Sequence, residues 1–125
     1  MTKRESIENG RAQQAFKYVQ EVKDTSFASE YKSYIKKLAP LIKNNGLGNT
    51  IAFVSASKGK SSKGKAYGKI YKQLEKWLKE KGLIDRNLLD EILKINSRKY
   101  RYITKETMAI LNWWRRFVDG EISND

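Results

Sequence analysis

An all-α fold is what this chain predicts: one compact domain, residues 1–125, built from five to six helices. Apolar residues recur at three- and four-residue spacing nearly from end to end, the pattern of helices with one buried stripe. A single short apolar run, Ile51-Ala52-Phe53-Val54, could be a strand, but a strand needs a partner and no second convincing one exists. The length of 125 residues suits one ordinary domain, and a hydrophobic content of 39% supplies its core.

Taken in order, the first helix carries the stripe Ala12, Ala15, Phe16, Val19 and Val22. The second carries Tyr31, Tyr34, Ile35, Leu38 and Ile42. Pro40, the one proline, should kink or divide it, and Asn45-Gly46 reads as its end, with Gly46 in a left-handed cap conformation. Leu47 to Ala56 is read as a short buried helix rather than a strand. Residues 57–65 are Ser, Lys and Gly only, the composition of a mobile, linker-like loop. Tyr67, Ile70, Tyr71, Leu74, Trp77 and Leu78 make the next stripe, closed by Gly82. Asp85 is placed as the cap of a short helix with Leu88, Leu89, Ile92 and Leu93, broken by Asn96-Ser97. Thr104 is placed as the cap of the last helix, with Glu106 in its first turn, where the helix dipole favours an acid. Met108, Leu111, Trp114 and Val118 share the buried face there, and Gly120 stops it.

Composition removes whole classes of chemistry. There is no Cys and no His, so disulfides, thiolate or imidazole zinc sites, Cys nucleophiles and His-based triads are excluded. Asp85, Asp90 and Glu91 are the densest acids outside the first helix. Asp85 is better used as a cap, and Asp90 and Glu91 point different ways, so they do not converge on a metal. No catalytic residue, metal, cofactor or small-molecule substrate is assigned. No apolar stretch approaches the roughly 20 residues of a spanning helix. Met1-Thr2-Lys3-Arg4-Glu5-Ser6 is not followed by the apolar segment of a signal peptide. The expected setting is the cytoplasm, without a membrane partner.

Charge points toward a partner. Against 14 acids stand 26 Lys and Arg, a net +12 with a pI near 9.9. A surplus of that size directs attention to nucleic acid. It is concentrated: residues 58–81 hold nine Lys against Glu75 and Glu80, a local +7. Lys58, Lys60, Lys63 and Lys65 lie in the expected loop, and Lys69, Lys72, Lys76 and Lys79 continue the basic face at helical spacing. Such a surface settles on a phosphate backbone and releases counterions without reading bases. The plainer alternative is a solvated, lysine-rich surface.

The same stretch spells G-x-x-x-x-G-K, from Gly59 to Lys65, the form of a phosphate-cradling nucleotide loop. Ala66 stands where that loop needs a Ser or Thr to hold magnesium, and the strands that carry it are missing. A nucleotide hydrolase is therefore the weakest of the readings kept.

Two further clusters are candidates. Arg98, Lys99, Tyr100, Arg101 and Tyr102 interleave cations that can pair with phosphates and rings that can stack on bases; Arg98 and Arg101 are the binding candidates. Trp113-Trp114-Arg115-Arg116 cannot turn both indoles into one core, since neighbours on a helix are about 100° apart. Trp114 fits the Met108, Leu111, Val118 stripe and Trp113 fits with Ala109, Ile110 and Phe117. Either the helix is buried on two sides, or Trp113 with Arg116 belongs to a protein–protein interface.

Four stretches together resemble a known family: RAQQA at residues 11–15, NNGLGNTIAF at 44–53, YRYITKET at 100–107 and LNWWRRF at 111–117. In order and spacing they resemble the small α-helical subunit of the Cmr-type (type III-B) CRISPR–Cas RNA-silencing complex, over nearly the whole chain. The resemblance implies a non-catalytic, all-helical scaffold. Copies of it would stack along an effector filament beside the other Cmr-type subunits, presenting a basic face to guide or target RNA in antiviral defence, while cutting belongs to other subunits. It assigns no individual lysine to RNA. The alternatives are a Csm-type small subunit and a free-standing basic RNA-binding module.

Overall fold

A computed structural model describes residues 2–123, so Met1, Asn124 and Asp125 of the expected domain lie outside the described residues. Among the described residues the chain forms six helices and no strand: α1 (Lys3–Val22), α2 (Ala28–Asn45), α3 (Leu47–Ser57), α4 (Ser62–Glu80), α5 (Leu88–Ile92) and α6 (Ser97–Glu121). The all-α expectation holds, and Leu47–Ser57 is helix, not strand.

Side-chain caps set most of the starts. Thr2 accepts from the Glu5 N–H while Glu5 accepts from the Thr2 N–H, a reciprocal capping box that opens α1. Ser61 opens α4, accepting from the Gly64 N–H. Asn87, not Asp85, caps α5; the backbone N–H groups of Asp85 and Arg86 both donate to Glu91 instead. Asn96, not Thr104, caps α6, which starts two turns earlier than the apolar periodicity suggests. Thr104 lies inside that helix, its hydroxyl donating to the Tyr100 carbonyl. Glu106 is thus in mid-helix and buried, not in a first turn.

Pro40 does not divide α2. It is exposed, so the Lys36 carbonyl left without a donor one turn earlier lies on the solvent side of the helix. Gly46 does have positive φ (+84°), but with ψ of 161° it is an extended, glycine-only conformation rather than a left-handed cap. It ends α2 and turns the chain at once into α3. Gly120 is no stop, since α6 continues to Glu121.

α1 and α6 run parallel: Arg11 reaches Glu106 in mid-helix and Gln20 reaches Glu121 near their ends. α2 lies antiparallel to both α4 and α6, with α3 packed on α2, α4 and α5. Trp114 of α6 is fully buried at the centre, its ring 5.5 Å from that of Tyr18 and 6.4 Å from that of Tyr31. The α1 stripe is rotated from the expected one: Tyr18 joins Ala15, Val19 and Val22 inside, while Phe16 is 41% exposed.

Two buried polar sets tie the helices together. The Trp114 indole donates to the Tyr31 hydroxyl (2.7 Å), which donates to Gln73, and the Gln73 amide donates to the Tyr18 carbonyl (3.1 Å). Burial pushes the Tyr31 phenol well above its ordinary pKa, so the chain of donors stays neutral. Separately, the Glu106 carboxylate accepts two bonds from the Arg11 guanidinium (3.0 and 2.9 Å) and one from the Trp77 indole (3.1 Å), joining α1, α4 and α6. Lys32, 7% exposed, donates to the Ile122 carbonyl (2.7 Å) and so satisfies the C-terminus of α6 from α2. Among the described residues no helix is long and apolar enough to cross a membrane.

Candidate nucleic-acid interface

Residues 57–65 are not one loop. Ser57 is the last residue of α3 and Ser62 the first of α4, which leaves Lys58–Ser61 as a tight turn. The reason lies in the two glycines. A Cβ on Gly64 would sit 2.5–2.6 Å from the backbone N, Cα and C of Gly59, so the turn and the first turn of α4 touch backbone to backbone. The Ser61 side chain caps Gly64, and the Lys65 N–H donates to the Ser61 carbonyl (2.8 Å). This is why a glycine stands at position 64, whereas a Cβ on Gly59 would meet only the Gly64 Cα at 4.0 Å, an ordinary contact. The Gly64 and Lys65 N–H groups are bonded within the turn, and helix α3 precedes it where a nucleotide loop has a strand. Gly64→Ala is expected to destabilise by about 1–3 kcal/mol through overpacking, read as a lowered melting temperature; an unchanged melt would show that the contact has room to open.

The lysines of this region divide by partner. The Lys58 ammonium sits 4.2 Å from the Tyr71 ring centroid, a cation–π contact. Lys69 is ion-paired with Glu21 of α1 at 3.0 Å. Lys60, Lys63, Lys65 and Lys72 are exposed and, among the described residues, make no ion pair. Lys60, Lys63 and Lys65 cluster at the turn and the start of α4, and Lys72 follows about two turns further along that helix.

Arg98 and Arg101 do not join them. They sit on the first turns of α6, where the Tyr100 hydroxyl accepts from the Gly48 N–H (2.7 Å) at the start of α3. The lysine turn is at the other end of α3, ten residues on, or roughly 15 Å along the axis. Tyr100 is half-buried in that contact, while Tyr102 is 61% exposed.

Trp113 and Arg116 do meet, on the α1–α6 pair. The guanidinium lies 5.5 Å from the Trp113 ring centroid, and that ring stacks on Phe117, which meets Phe16 edge to face. The Trp113 indole donates to Glu8 (2.9 Å), and this bond, with the one from Arg11, holds the Glu8 carboxyl below its ordinary range. Trp114 is core and Trp113 half-buried at the edge, so the two indoles part as their spacing requires.

Sequence reasoning missed the α2 lysines. Lys37 of α2 and Lys63 of α4 line the same shallow hollow, with Tyr34 and Tyr67 between them. The signal that could have found them is the Lys36-Lys37 doublet beside Tyr34 and Ile35. Lys36 is engaged by Asp119 (2.9 Å), whereas Lys37 makes no ion pair among the described residues.

The family model described as CRISPR-associated protein (Cas_Cmr5) matches residues 7–121. The crystal structure of a CRISPR-associated Cmr5 family protein from Thermus thermophilus is also similar. It shares 25% identity and a TM-score of 0.78, over 98% of this chain and 100% of that one. With the sequence matched over almost its whole length and the six-helix fold shared throughout, the chain belongs to the Cmr5 family of CRISPR-associated proteins, the small subunits of Cmr-type systems.

Proposed function

We propose that this type III-B effector subunit is a non-catalytic scaffold, working in the cytoplasm, that stacks with copies of itself and with other Cmr-type subunits and offers a basic face to guide or target RNA. The observation that carries the reading is the braced α3–α4 turn, which holds Lys60, Lys63 and Lys65 exposed and free of acidic partners beside Lys72. A phosphate backbone laid there gains from counterion release and gives no sequence information. Sequence choice would come from base pairing to the guide, as in RNA-guided systems generally. The Trp113–Arg116–Phe117 cluster, with exposed Phe16 beside it, is the proposed protein contact, since indoles and guanidinium groups are enriched where subunits meet.

The test has two parts. The tagged chain recovered from its host should bring down large and backbone CRISPR subunits and short guide RNAs. The isolated chain should bind single-stranded RNA with an affinity that falls steeply with salt. Replacing Lys60, Lys63, Lys65 and Lys72 by Gln should make the log–log slope shallower by about 0.7 for each phosphate no longer neutralised. A slope indifferent to those four lysines would remove the turn from the RNA path, and recovery of the chain alone would sink the effector role.

A further inference from the structure

Beside the lysine turn, α2, α3 and α4 enclose a hollow of about 440 Å³, within the range of small-ligand sites. Its wall is aromatic. Tyr34 and Tyr67 stack with ring centroids 3.9 Å apart and planes 10° from parallel, and Phe53 meets Tyr67 edge to face at 5.6 Å. Phe53 is 50% exposed and stands outside the buried core. Polar groups line the other side. The Thr50 hydroxyl donates to the Gly46 carbonyl and one Asn49 N–H to the Asn45 carbonyl. That leaves acceptor lone pairs on Thr50 and both a donor and an acceptor on Asn49. Lys37 lines this hollow and also the adjoining one with Lys63, where Glu30 is the single acid.

We propose that this hollow is a nucleobase site, in which one unstacked base of a single-stranded RNA lies against Phe53 and the Tyr34–Tyr67 pair while Lys37 and Lys63 hold its flanking phosphates. The charge argues for this occupant over an apolar side chain of a partner protein. Lys37 and Lys63, which make no ion pair among the described residues, flank the aromatic wall and continue the basic face of the turn. Stacking on a ring accepts any base, because every base has a π-face. The site therefore adds grip without adding sequence preference. The inference rests on the RNA-binding reading above and adds a contact that phosphate attraction alone does not supply.

The experiment compares a short oligouridine RNA with a ribose–phosphate strand of equal length lacking bases, each titrated onto the full chain. The base-bearing strand should bind about 5- to 150-fold tighter, the range for one stacked base. Phe53→Ala, at a half-exposed position, should remove most of that difference and leave the baseless strand unchanged. Lys37→Gln should weaken both strands. Equal binding of the two strands by the unmodified chain overturns the base site while leaving the electrostatic reading intact; binding of neither overturns both. In the assembled effector, a photoreactive phenylalanine analogue at position 53 should crosslink to RNA. Crosslinking to a neighbouring protein, with RNA still present in the complex, would overturn the base site alone and make the hollow a subunit contact.

Discussion

Trp114→Ala is expected to lower the unfolding free energy by about 3–5 kcal/mol, the usual cost of deleting a fully buried indole. For a domain of this size the melting temperature should fall by roughly 10–20 °C. The cost has two parts. The ring fills the centre of the molecule against Tyr18 and Tyr31, so its removal opens a cavity between α1, α2 and α6. Its N–H also ends the donor chain through Tyr31 and Gln73 to the Tyr18 carbonyl. Trp114→Phe separates the two: most of the ring remains, the Tyr31 hydroxyl loses a donor, and the loss should be about half that of the alanine variant or less. Chemical denaturation with both variants measures it. Equal losses would place the whole effect in the hydrogen bond, and a loss near zero for Trp114→Ala would show that the core re-forms around the gap.

Glu106→Ala is expected to cost about 3 kcal/mol, the lower end of the range for breaking a buried ion pair from one side. Glu106 is 5% exposed and receives three N–H bonds, two from Arg11 and one from Trp77. Alanine takes the acceptor from the Arg11 Nε and Nη2 groups and from the Trp77 indole N–H. The figure falls at the lower end because the Arg11 side chain is 19% exposed and keeps its bond to Glu8. A guanidinium stays protonated at every accessible pH with or without Glu106, so no change of pH relieves the stranded charge. Arg11→Ala with Glu106→Ala completes a double-mutant cycle. The pair should lose clearly less than the sum of the two single variants. Strict additivity would mean that the geometry carries no coupling.

The helices themselves were legible in the chain because a buried stripe repeats every three or four residues whatever the tertiary details. The stripes on α2, α4 and α6 fall on residues that are in fact buried or half-buried. Helix starts were harder. Asn87 and Asn96 cap α5 and α6: Asn87 stands directly before Leu88 but the apolar pattern does not choose between it and Asp85, and α6 begins well before the first residue of the expected stripe, so Thr104 was taken for its start. Phe16 and Tyr18 were exchanged for a similar reason. Both suit a core, and the parallel packing of α1 on α6 chooses between them. The lysine turn was misjudged for want of one fact. Composition alone makes Ser, Lys and Gly a loop, and nothing local reports that Gly59 and Gly64 are pressed together. The aromatic hollow was hidden for a related reason. Tyr34 and Tyr67 were correctly placed toward the interior, but their stacking on each other, at the edge rather than the centre, is a relation between helices.

The contact between Gly59 and Gly64 bears on how fast a partner can be gripped. A loop that must take shape as a strand arrives loses chain entropy at that moment and forms its contacts slowly. A turn closed by its own backbone, with a serine cap already in place, offers its cations in their final arrangement beforehand. Under the RNA-binding reading proposed above, capture of an anionic strand becomes a matter of collision and long-range attraction, and ionic strength acts first on the association rate. The same closure makes the length of the turn critical. One inserted residue between the glycines would part them and give the lysines back their freedom, and with it a slower and weaker hold.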